Sequence, residues 1–234
     1  MKKVNSRGFT LAELLIVISI LGVLTLIIMV NFRSGTRSNE LRQAGLEFSQ
    51  NLRLAQSYTI GGNSLMFCDE SSPEIVRYNE CIVPDDTPCD TGICVNTVPR
   101  GGYGISIAST ENYWIFGDKK NNNYFDGDIY DFGVVYKDLS YKSLHIKEIK
   151  LGEEDAIIPN DTDNRIDVTF EPPTGIIHFF VGGAGGQEAE DSSGDLINKL
   201  EILITSDYVT SYCRKISINR ISGQISEVQS ECSL

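Results

Sequence analysis

The sequence has little positive charge and almost no histidine. It contains 20 Lys and Arg against 32 Asp and Glu, which gives a formal net charge of −12, and it has only two His. A surface of that sign repels phosphate backbones, so extensive nucleic-acid binding is disfavoured. His145 and His178 have no Cys or acid beside them in a catalytic pattern. The sequence therefore indicates a protein that is not an enzyme.

Cysteine is absent from the chain before Cys68. The six cysteines, an even number, all follow the long apolar run near the N-terminus, as expected for an exported and oxidised segment. We predict three disulfides, with zinc as the weaker alternative because only Cys89 and Cys94 are closely spaced. Spacing alone does not decide among the possible pairings. A pairing of near neighbours would join Cys68 to Cys81, Cys89 to Cys94, and Cys213 to Cys232.

Charge is missing altogether between Leu14 and Val30. These 17 residues span about 25 Å as a helix, and with the residues from Phe9 onward they reach the thickness of a bilayer. Glu13 stands at the start of the run, although an acid inside a membrane helix costs about 2.5–3.5 kcal/mol on insertion scales and usually marks a function. Basic residues precede the run and favour a cytoplasmic N-terminus. They are Lys2, Lys3 and Arg7.

Signals for other export routes are also missing. Residues 31–34, after the run, offer no small-residue cleavage site of the A-x-A kind. A lipoprotein signal would need a cysteine close behind the apolar run, whereas the first cysteine is Cys68. A plain membrane anchor is the remaining simple interpretation, and it leaves Glu13 unexplained.

The residues around Gly8 resemble a known processing signal. Gly8 followed by Phe9-Thr10-Leu11-Ala12-Glu13-Leu14-Leu15 is similar to the class III signal of type IV prepilins and type II secretion pseudopilins. The resemblance implies that a membrane peptidase removes residues 1–8 and methylates the new amino terminus, Phe9. It also implies that Glu13 meets the free amine of a neighbouring subunit, since opposite charges in a low-dielectric bundle stabilise each other. Loss of the leader lowers the formal side-chain charge from −12 to −15.

Beyond the leader, the pattern predicts one long helix followed by a β-rich head. Residues 9–30 are expected to form a transmembrane and filament-core helix, and residues 31–61 its amphipathic half, which Gly61 and Gly62 end. Residues 62–234 form the head, so the fold class is α+β, with a helix covering antiparallel sheets as in pilins. An apolar stripe at steps of three and four marks the buried helix face. It comprises Leu41, Ala44, Phe48, Leu52, Ala55 and Thr59.

Short runs with a period of two predict the strands of the head. The clearest alternation occurs in residues 103–107, 166–170, 200–204 and 216–218. Further strands are expected in residues 113–116, 132–136, 176–181 and 223–228.

Several short sequence segments of the head, and the order in which they occur, resemble those of the H-type minor pseudopilins and the T- and U-type minor pilins. These segments are residues 52–58, 65–68, 114–118, 173–179 and 216–225. Some T-type minor pilins bind DNA through arginines that flank the glycine of the last hairpin. Here Arg220 is the single arginine near Gly223, and we interpret it as a solvated hairpin residue because phosphate binding normally recruits several cations. DNA uptake is therefore disfavoured.

One loop of the head is rich in hard oxygen donors, which suit Ca²⁺. The candidate ligands are Asp118, Asn121, Asn123, Asp126 and Asp128. The spacing does not fit an EF-hand, because Lys120 occupies the third position and a terminal glutamate is missing. A polar hairpin turn rich in Asn, Asp and Gly is the favoured alternative.

Together these patterns predict a structural minor pilin or pseudopilin. The expected partners are other pilin subunits, the prepilin peptidase and methylase, and the inner-membrane assembly platform. We expect a single-pass protein of the bacterial inner membrane with its N-terminus in the cytoplasm and its head outside, which then enters a type IV pilus or type II secretion pseudopilus. A pilin-borne recognition or adhesion subunit, or a DNA-uptake subunit, is the alternative.

Overall fold

A computed structural model describes residues 10–69, 93–118, 121–125, 131–153, 156–160, 164–182 and 186–232. They form an α+β fold with one long helix, α1 (Leu11–Gly61), and antiparallel sheets. A short 3-10 helix covers Ser140–Lys142. The strands are β1 (Leu65–Asp69), β2 (Ile93–Thr97), β3 (Gly102–Ile107), β4 (Asn112–Asp118), β5 (Asp131–Asp138), β6 (Leu144–Leu151), β7 (Ile166–Glu171), β8 (Ile176–Val181), β9 (Gln187–Glu188), β10 (Lys199–Ser206), β11 (Val209–Asn219) and β12 (Ile225–Ser230).

The chain divides into two compact units, Met1–Glu40 and Leu41–Leu234. In the first unit, the described apolar side chains of α1 are largely exposed, with Leu11 at 80% and Leu26 at 67%. Among the described residues, no helix combines the length and the apolarity that a membrane crossing requires.

The second unit confirms the predicted stripe on α1. All six stripe residues are at most 5% exposed, and they join a core to which both larger sheets contribute. The helix ends in a Schellman motif, because the N–H of Asn63 donates to the carbonyl of Tyr58 and that of Gly62 to the carbonyl of Thr59. Gly62 has φ of 62°, a left-handed conformation that glycine adopts without a Cβ penalty. The predicted helix end at Gly61 and Gly62 is therefore confirmed.

The larger sheet has six strands in the order β5-β4-β3-β7-β8-β9, and every described neighbour pair is antiparallel. One face packs on α1. The rings of Phe48 and Tyr113 lie 4.6 Å apart at their centroids, and the Thr59 hydroxyl accepts the N–H of Tyr103 at 2.9 Å. The helix is thus fixed to the sheet by both apolar contact and a buried hydrogen bond.

The smaller sheet has four strands in the order β12-β11-β10-β6. The Arg53 side chain of α1 donates to the carbonyl of Ile225 on the edge strand β12 at 2.9 Å. Gly45 allows this close approach, because a Cβ there would lie 2.9 Å from the Cβ of Arg214 and 3.0 Å from a carboxylate oxygen of Glu227. Helix α1 therefore contacts both of the larger sheets.

All eight predicted strands are confirmed, with ends that differ by at most two residues except in β11, which begins seven residues before the predicted residues 216–218. The sequence did not predict β6, in which Leu144, Ile146, Ile149 and Leu151 are buried. A bulge opposite Leu203 and Ile204 shifts its register and breaks the alternation that marks a strand. The pair β1 and β2 was also not predicted as a sheet, since 23 residues separate its strands in the chain.

Candidate functional site

The start of α1 holds Glu13 in a local hydrogen-bonded arrangement. The backbone N–H and the hydroxyl of Thr10 both donate to one carboxylate oxygen of Glu13, each at 2.8 Å. The N–H of Glu13 donates back to the Thr10 hydroxyl at 3.3 Å. This reciprocal pattern is a capping box, which satisfies donors that a helix start otherwise leaves open.

The capping box gives Glu13 a partner inside its own chain. Sequence reasoning treated Glu13 as an isolated acid and missed Thr10, although a Thr followed three residues later by Glu before an apolar run is a recognised signature of a helix start. The predicted processing residues Gly8 and Phe9 lie outside the described residues. The structure therefore shows how Glu13 is held in the unprocessed chain, and its contact with a neighbour's amine stays a prediction.

The polar side chains within the apolar run are satisfied by the helix itself. The Ser19 hydroxyl donates to the carbonyl of Leu15 at 2.8 Å, and the Thr25 hydroxyl donates to the carbonyl of Leu21 at 2.7 Å. Such back-bonding removes the need for an outside partner in apolar surroundings. Among the described residues of the run, Glu13 is the ionisable group. Its capping box is thus the polar feature that stands out on this half of α1.

Residues 3–29 match the family described as the prokaryotic N-terminal methylation motif. The chain carries a type IV prepilin-like class III signal. The matched segment includes Gly8, Phe9 and the capping box of Thr10 and Glu13. No curated protein and no solved structure matches the chain. The signal is therefore established for the N-terminus, and the head has to be interpreted from its own geometry.

The turn after β4 contains described members of the predicted calcium-binding loop. Asp118 is fully buried, and its two carboxylate oxygens accept the backbone N–H groups of Asn121 and Asn123 at 2.7 Å each. Both asparagines have positive φ, at 61° and 64°, which is typical of turn residues. Asp126 and Asp128 lie outside the described residues. The described part of the loop is thus a turn capped by Asp118.

No cluster of His, Cys, Asp or Glu in the described ranges could hold a metal ion. The carboxylate of Asp118 already serves the backbone of its own turn, which supports the turn interpretation over a calcium site. Calcium binding by the complete loop stays a prediction, and no cofactor is supported.

A buried charge network holds the end of this turn against β7. The N–H of Phe125 donates to the Asp167 carboxylate at 2.9 Å, and the Arg165 guanidinium lies 3.3 Å from the same oxygen. Arg165 also donates to the carbonyl of Phe125 and lies 5.5 Å from the centre of its ring. Burial raises the pKa of Asp167 to about 6, although the positive charge of Arg165 acts to lower it. Sequence reasoning missed this network, because its members lie in distant segments.

Arg220 lies in a second charge network, and its interpretation as a solvated residue is wrong. Its guanidinium lies 2.8 Å from the Glu188 carboxylate, and its side chain is only 13% exposed. The two ring nitrogens of His178 lie 2.9 Å from Glu188 and 3.0 Å from Glu171. Arg220 therefore joins the closing hairpin turn to the β8 and β9 edge of the other sheet. This further disfavours a role in binding phosphate.

The predicted disulfide between Cys213 and Cys232 is confirmed and joins β11 to the chain after β12. The antiparallel register of β1 and β2 places the α-carbon of Cys68 directly opposite that of Cys94. Opposed positions in an antiparallel pair lie within the Cα separation that a disulfide requires. The register thus favours Cys68–Cys94 over the pairing of near neighbours. Cys81 and Cys89 lie outside the described residues.

We expect a non-reducing digest of the protein to yield a cross-linked peptide that contains Cys68 and Cys94. Mass spectrometry before and after reduction identifies this peptide, and the Cys213–Cys232 peptide is the internal control. A Cys68–Cys81 cross-link in its place would show that the near-neighbour pairing is the correct one.

Proposed function

We propose that this chain is a structural minor pilin or pseudopilin. The observation that carries the proposal is the N-terminal methylation motif over residues 3–29, which contains Gly8, Phe9 and Glu13. In this role the chain is inserted into the membrane, cleaved after Gly8, methylated on Phe9 and packed into a filament. The work of such a subunit is assembly and not catalysis.

The apolar surface of α1 supports assembly. The described Leu, Ile and Val side chains from Leu11 to Ile28 are about half exposed or more, so the residues that the structure describes leave a large apolar area uncovered. Soluble chains seldom expose contiguous apolar surface of this extent unless a membrane or another protein covers it. In the proposed sequence of events the bilayer covers it first and the helices of neighbouring subunits cover it later.

The capping box supports a specific role for Glu13 when the subunit passes from the bilayer into the filament. In the unprocessed chain, Thr10 supplies two hydrogen bonds to the carboxylate of Glu13. Cleavage after Gly8 would create a positively charged amine at Phe9. We propose that this amine, presented by a neighbour, binds the Glu13 carboxylate in the filament. An ion pair in a low-dielectric bundle forms only when both charges are in register, so it would align adjacent subunits.

The basic leader and the uncharged run support insertion with the N-terminus in the cytoplasm. The proposed partners are other pilin subunits, a prepilin peptidase and methylase, and an inner-membrane assembly platform. The similarity of the short head segments to H-type pseudopilins and to T- and U-type pilins favours a minor subunit of one of these kinds. Type IV pili, type II secretion pseudopili and DNA-uptake filaments share the same N-terminal signal.

The proposal is tested by the mass of the N-terminal peptide from the membrane and filament fractions. We expect this peptide to begin with N-methylated Phe9 and to lack residues 1–8, because the signal directs cleavage after Gly8. A Gly8→Leu variant is the matched control, and it should retain the full leader. An intact leader on the wild-type protein in these fractions would overturn the proposal.

A further inference from the structure

The head contains an apolar pocket at the point where the chain passes from one of its larger sheets to the other. Its volume is about 550 Å³, and it lies against β6, β8 and the segment that includes β9. Leu151, Ala189 and Ile197 in its lining are buried, and Ile157 and Val181 are partly buried beside the core. The core of the head therefore forms the floor of the pocket, and a volume of this size is typical of sites that hold a ligand.

One wall of the pocket is a hairpin, residues 187–197, which we call the acidic hairpin. The Ala189 carbonyl accepts the N–H of Ile197 at 3.0 Å, and the Asp191 carboxylate accepts two N–H groups of the turn. The acidic hairpin contains no Lys or Arg. Its acids are Glu188, Glu190, Asp191 and Asp195. This wall is therefore negatively charged and is held by hydrogen bonds of its own backbone.

Two acids in the pocket lining, Glu188 and Glu190, differ in how far the chain already neutralises them. The Glu188 carboxylate lies 2.8 Å from the guanidinium of Arg220 and 2.9 Å from a ring nitrogen of His178. Glu190 is exposed, and no described Lys, Arg or His lies within ion-pair distance of it. The pocket therefore presents the carboxylate of Glu190 to a cation from outside the chain.

The apolar surface continues from the pocket onto the outside of the head. Ile158 is 61% exposed and Leu196 is 39% exposed, and each is the chain neighbour of a lining residue. Leu196 also lies directly opposite Glu190 in the acidic hairpin. Exposed apolar surface with a polar rim is typical of contacts with another protein. The surroundings of the pocket therefore favour a partner larger than a single small molecule.

A basic side chain on an apolar stem fits this combination of floor and wall. The methylene groups of arginine and lysine pack on apolar surface while the charge stays at the rim. An acidic segment would be repelled by the hairpin, and a neutral polar segment would leave the apolar floor in contact with water. The pocket therefore suits a peptide segment that carries both basic and apolar side chains.

A second copy of this chain is a poor source of such a segment. The formal net charge is −12, so copies repel one another. Most of the described Lys and Arg side chains of the head already lie in ion pairs with acids of the same head. These cations are Lys137, Lys150, Arg165, Lys199, Arg214, Lys215 and Arg220. A partner protein with a basic surface is complementary instead.

We infer that this pocket binds a basic and apolar peptide segment of a partner protein that is not a copy of this chain. The apolar floor holds the apolar side chains and the stems of the basic ones, and Glu190 pairs with a positive charge at the rim. The inference goes beyond the proposed function, because it assigns a ligand to the head and does not require a filament.

Binding of short peptides to the full chain in nanodiscs of neutral lipid tests the inference. The probes are the capped pentapeptides RLRLR, RSRSR, which lacks the apolar side chains, and ELELE, which reverses the charge. We expect RLRLR to bind at least about tenfold more tightly than the other two, and about 0.5 M salt to weaken it, because exposed charge pairs are screened. Equal binding of RSRSR, which would report attraction to the acids alone, or binding of none of the three would overturn the inference.

Charge reversal at the rim locates the ionic contact. Glu190→Lys should lower the affinity for RLRLR about fivefold, because an attractive exposed contact becomes repulsive. The matched control is Glu111→Lys, which makes the same change of charge at an exposed position outside the pocket lining. An equal loss in both variants, or no loss in Glu190→Lys, would contradict the site.

Removal of the exposed apolar groups tests the other half of the contact. Ile158→Ser with Leu196→Ser should lower the affinity for RLRLR about tenfold, because less apolar area is buried. The matched control, Ile221→Ser with Val228→Ser, removes exposed apolar groups outside the pocket lining and should keep the affinity. Thermal unfolding should be unchanged in both pairs, since all four side chains are exposed. Unchanged affinity in the first pair would contradict the apolar contact.

Photo-crosslinking identifies where the peptide lies. With p-benzoylphenylalanine in place of Gln187, an exposed residue of the lining, we expect a crosslink to RLRLR. The same group in place of Gln229, an exposed residue of β12 outside the lining, should give none. A crosslink from position 187 to a second copy of the chain would assign the pocket to contacts between copies and overturn the inference. Leader cleavage does not involve the pocket, so N-terminal mass reports separately on the proposed function.

Discussion

Replacing Glu13 by Ala should abolish incorporation of the chain into filaments while leaving its membrane insertion and its leader cleavage intact. The variant removes the anion and leaves the neighbour's terminal amine buried without a partner. Breaking one side of a buried ion pair costs about 3–5 kcal/mol, which corresponds to a loss of incorporation on the order of a hundredfold or more. Comparing the filament and membrane fractions by quantitative immunoblot measures the effect.

Two further variants separate the charge of Glu13 from its capping role. Glu13→Gln keeps the length of the side chain and one capping oxygen but removes the charge, so it should fail like Glu13→Ala. Thr10→Val removes the hydroxyl that donates to Glu13 but keeps the carboxylate, so incorporation should fall much less. Normal incorporation of Glu13→Gln would show that hydrogen bonding, and not an ion pair, explains the acid at this position.

Replacing Asp167 by Asn should stabilise the head at neutral pH. The pKa of Asp167 is raised from 3.8 to about 6 by burial, so the folded state favours the protonated form. The contribution of this group to stability is fully present below about pH 4 and is lost as the pH rises to about 6. The raised pKa corresponds to about 3 kcal/mol at neutral pH. Asn mimics the protonated form, so its advantage should be absent at pH 4 and complete above pH 7.

Denaturant unfolding of wild type and variant from pH 4 to pH 8 tests this expectation. Asp138→Asn is the control, because hydrogen bonds from Ser140 hold the pKa of Asp138 below its usual value. That variant should be less stable than wild type at neutral pH, and the difference should disappear in acid, which is the opposite sign. If Asp167→Asn were instead less stable than wild type at pH 8, the attraction of Arg165 would outweigh the cost of burial.

Local patterns predicted the elements of this fold well where apolar residues follow a regular period. The stripe on α1 from Leu41 to Thr59 is buried as predicted. The alternating runs around Ile105 and Val168 form strands β3 and β7 as predicted, but there the residues between the apolar ones are buried as well. Strand β6 was missed because a bulge interrupts its alternation. The solvated state predicted for Arg220 was wrong because Glu188, its partner, lies on an edge strand of the other sheet.

The N-terminal signal and the turn after β4 could be predicted from the sequence because both depend on residues that are close together in the chain. Gly8, Phe9 and Glu13 of the signal lie within six residues of one another, and Thr10 could have been added from the capping-box spacing alone. Asp118 was named as a metal ligand, yet a carboxylate that caps its own turn has the same sequence pattern. The use of its oxygens depends on backbone amide directions, which composition does not reveal.

The sequence by itself determined the processing signal, the long helix with its buried face, the β character of the head and its acidic charge. These features depend on neighbours in the chain, through helical or strand periodicity and through total charge. Only the tertiary structure decided the partners of Arg165 and Arg220 and the strand register that sets the α-carbon of Cys68 opposite that of Cys94. Such contacts join residues separated by many positions, and the pairing of strands that are distant in the chain sets which of them meet.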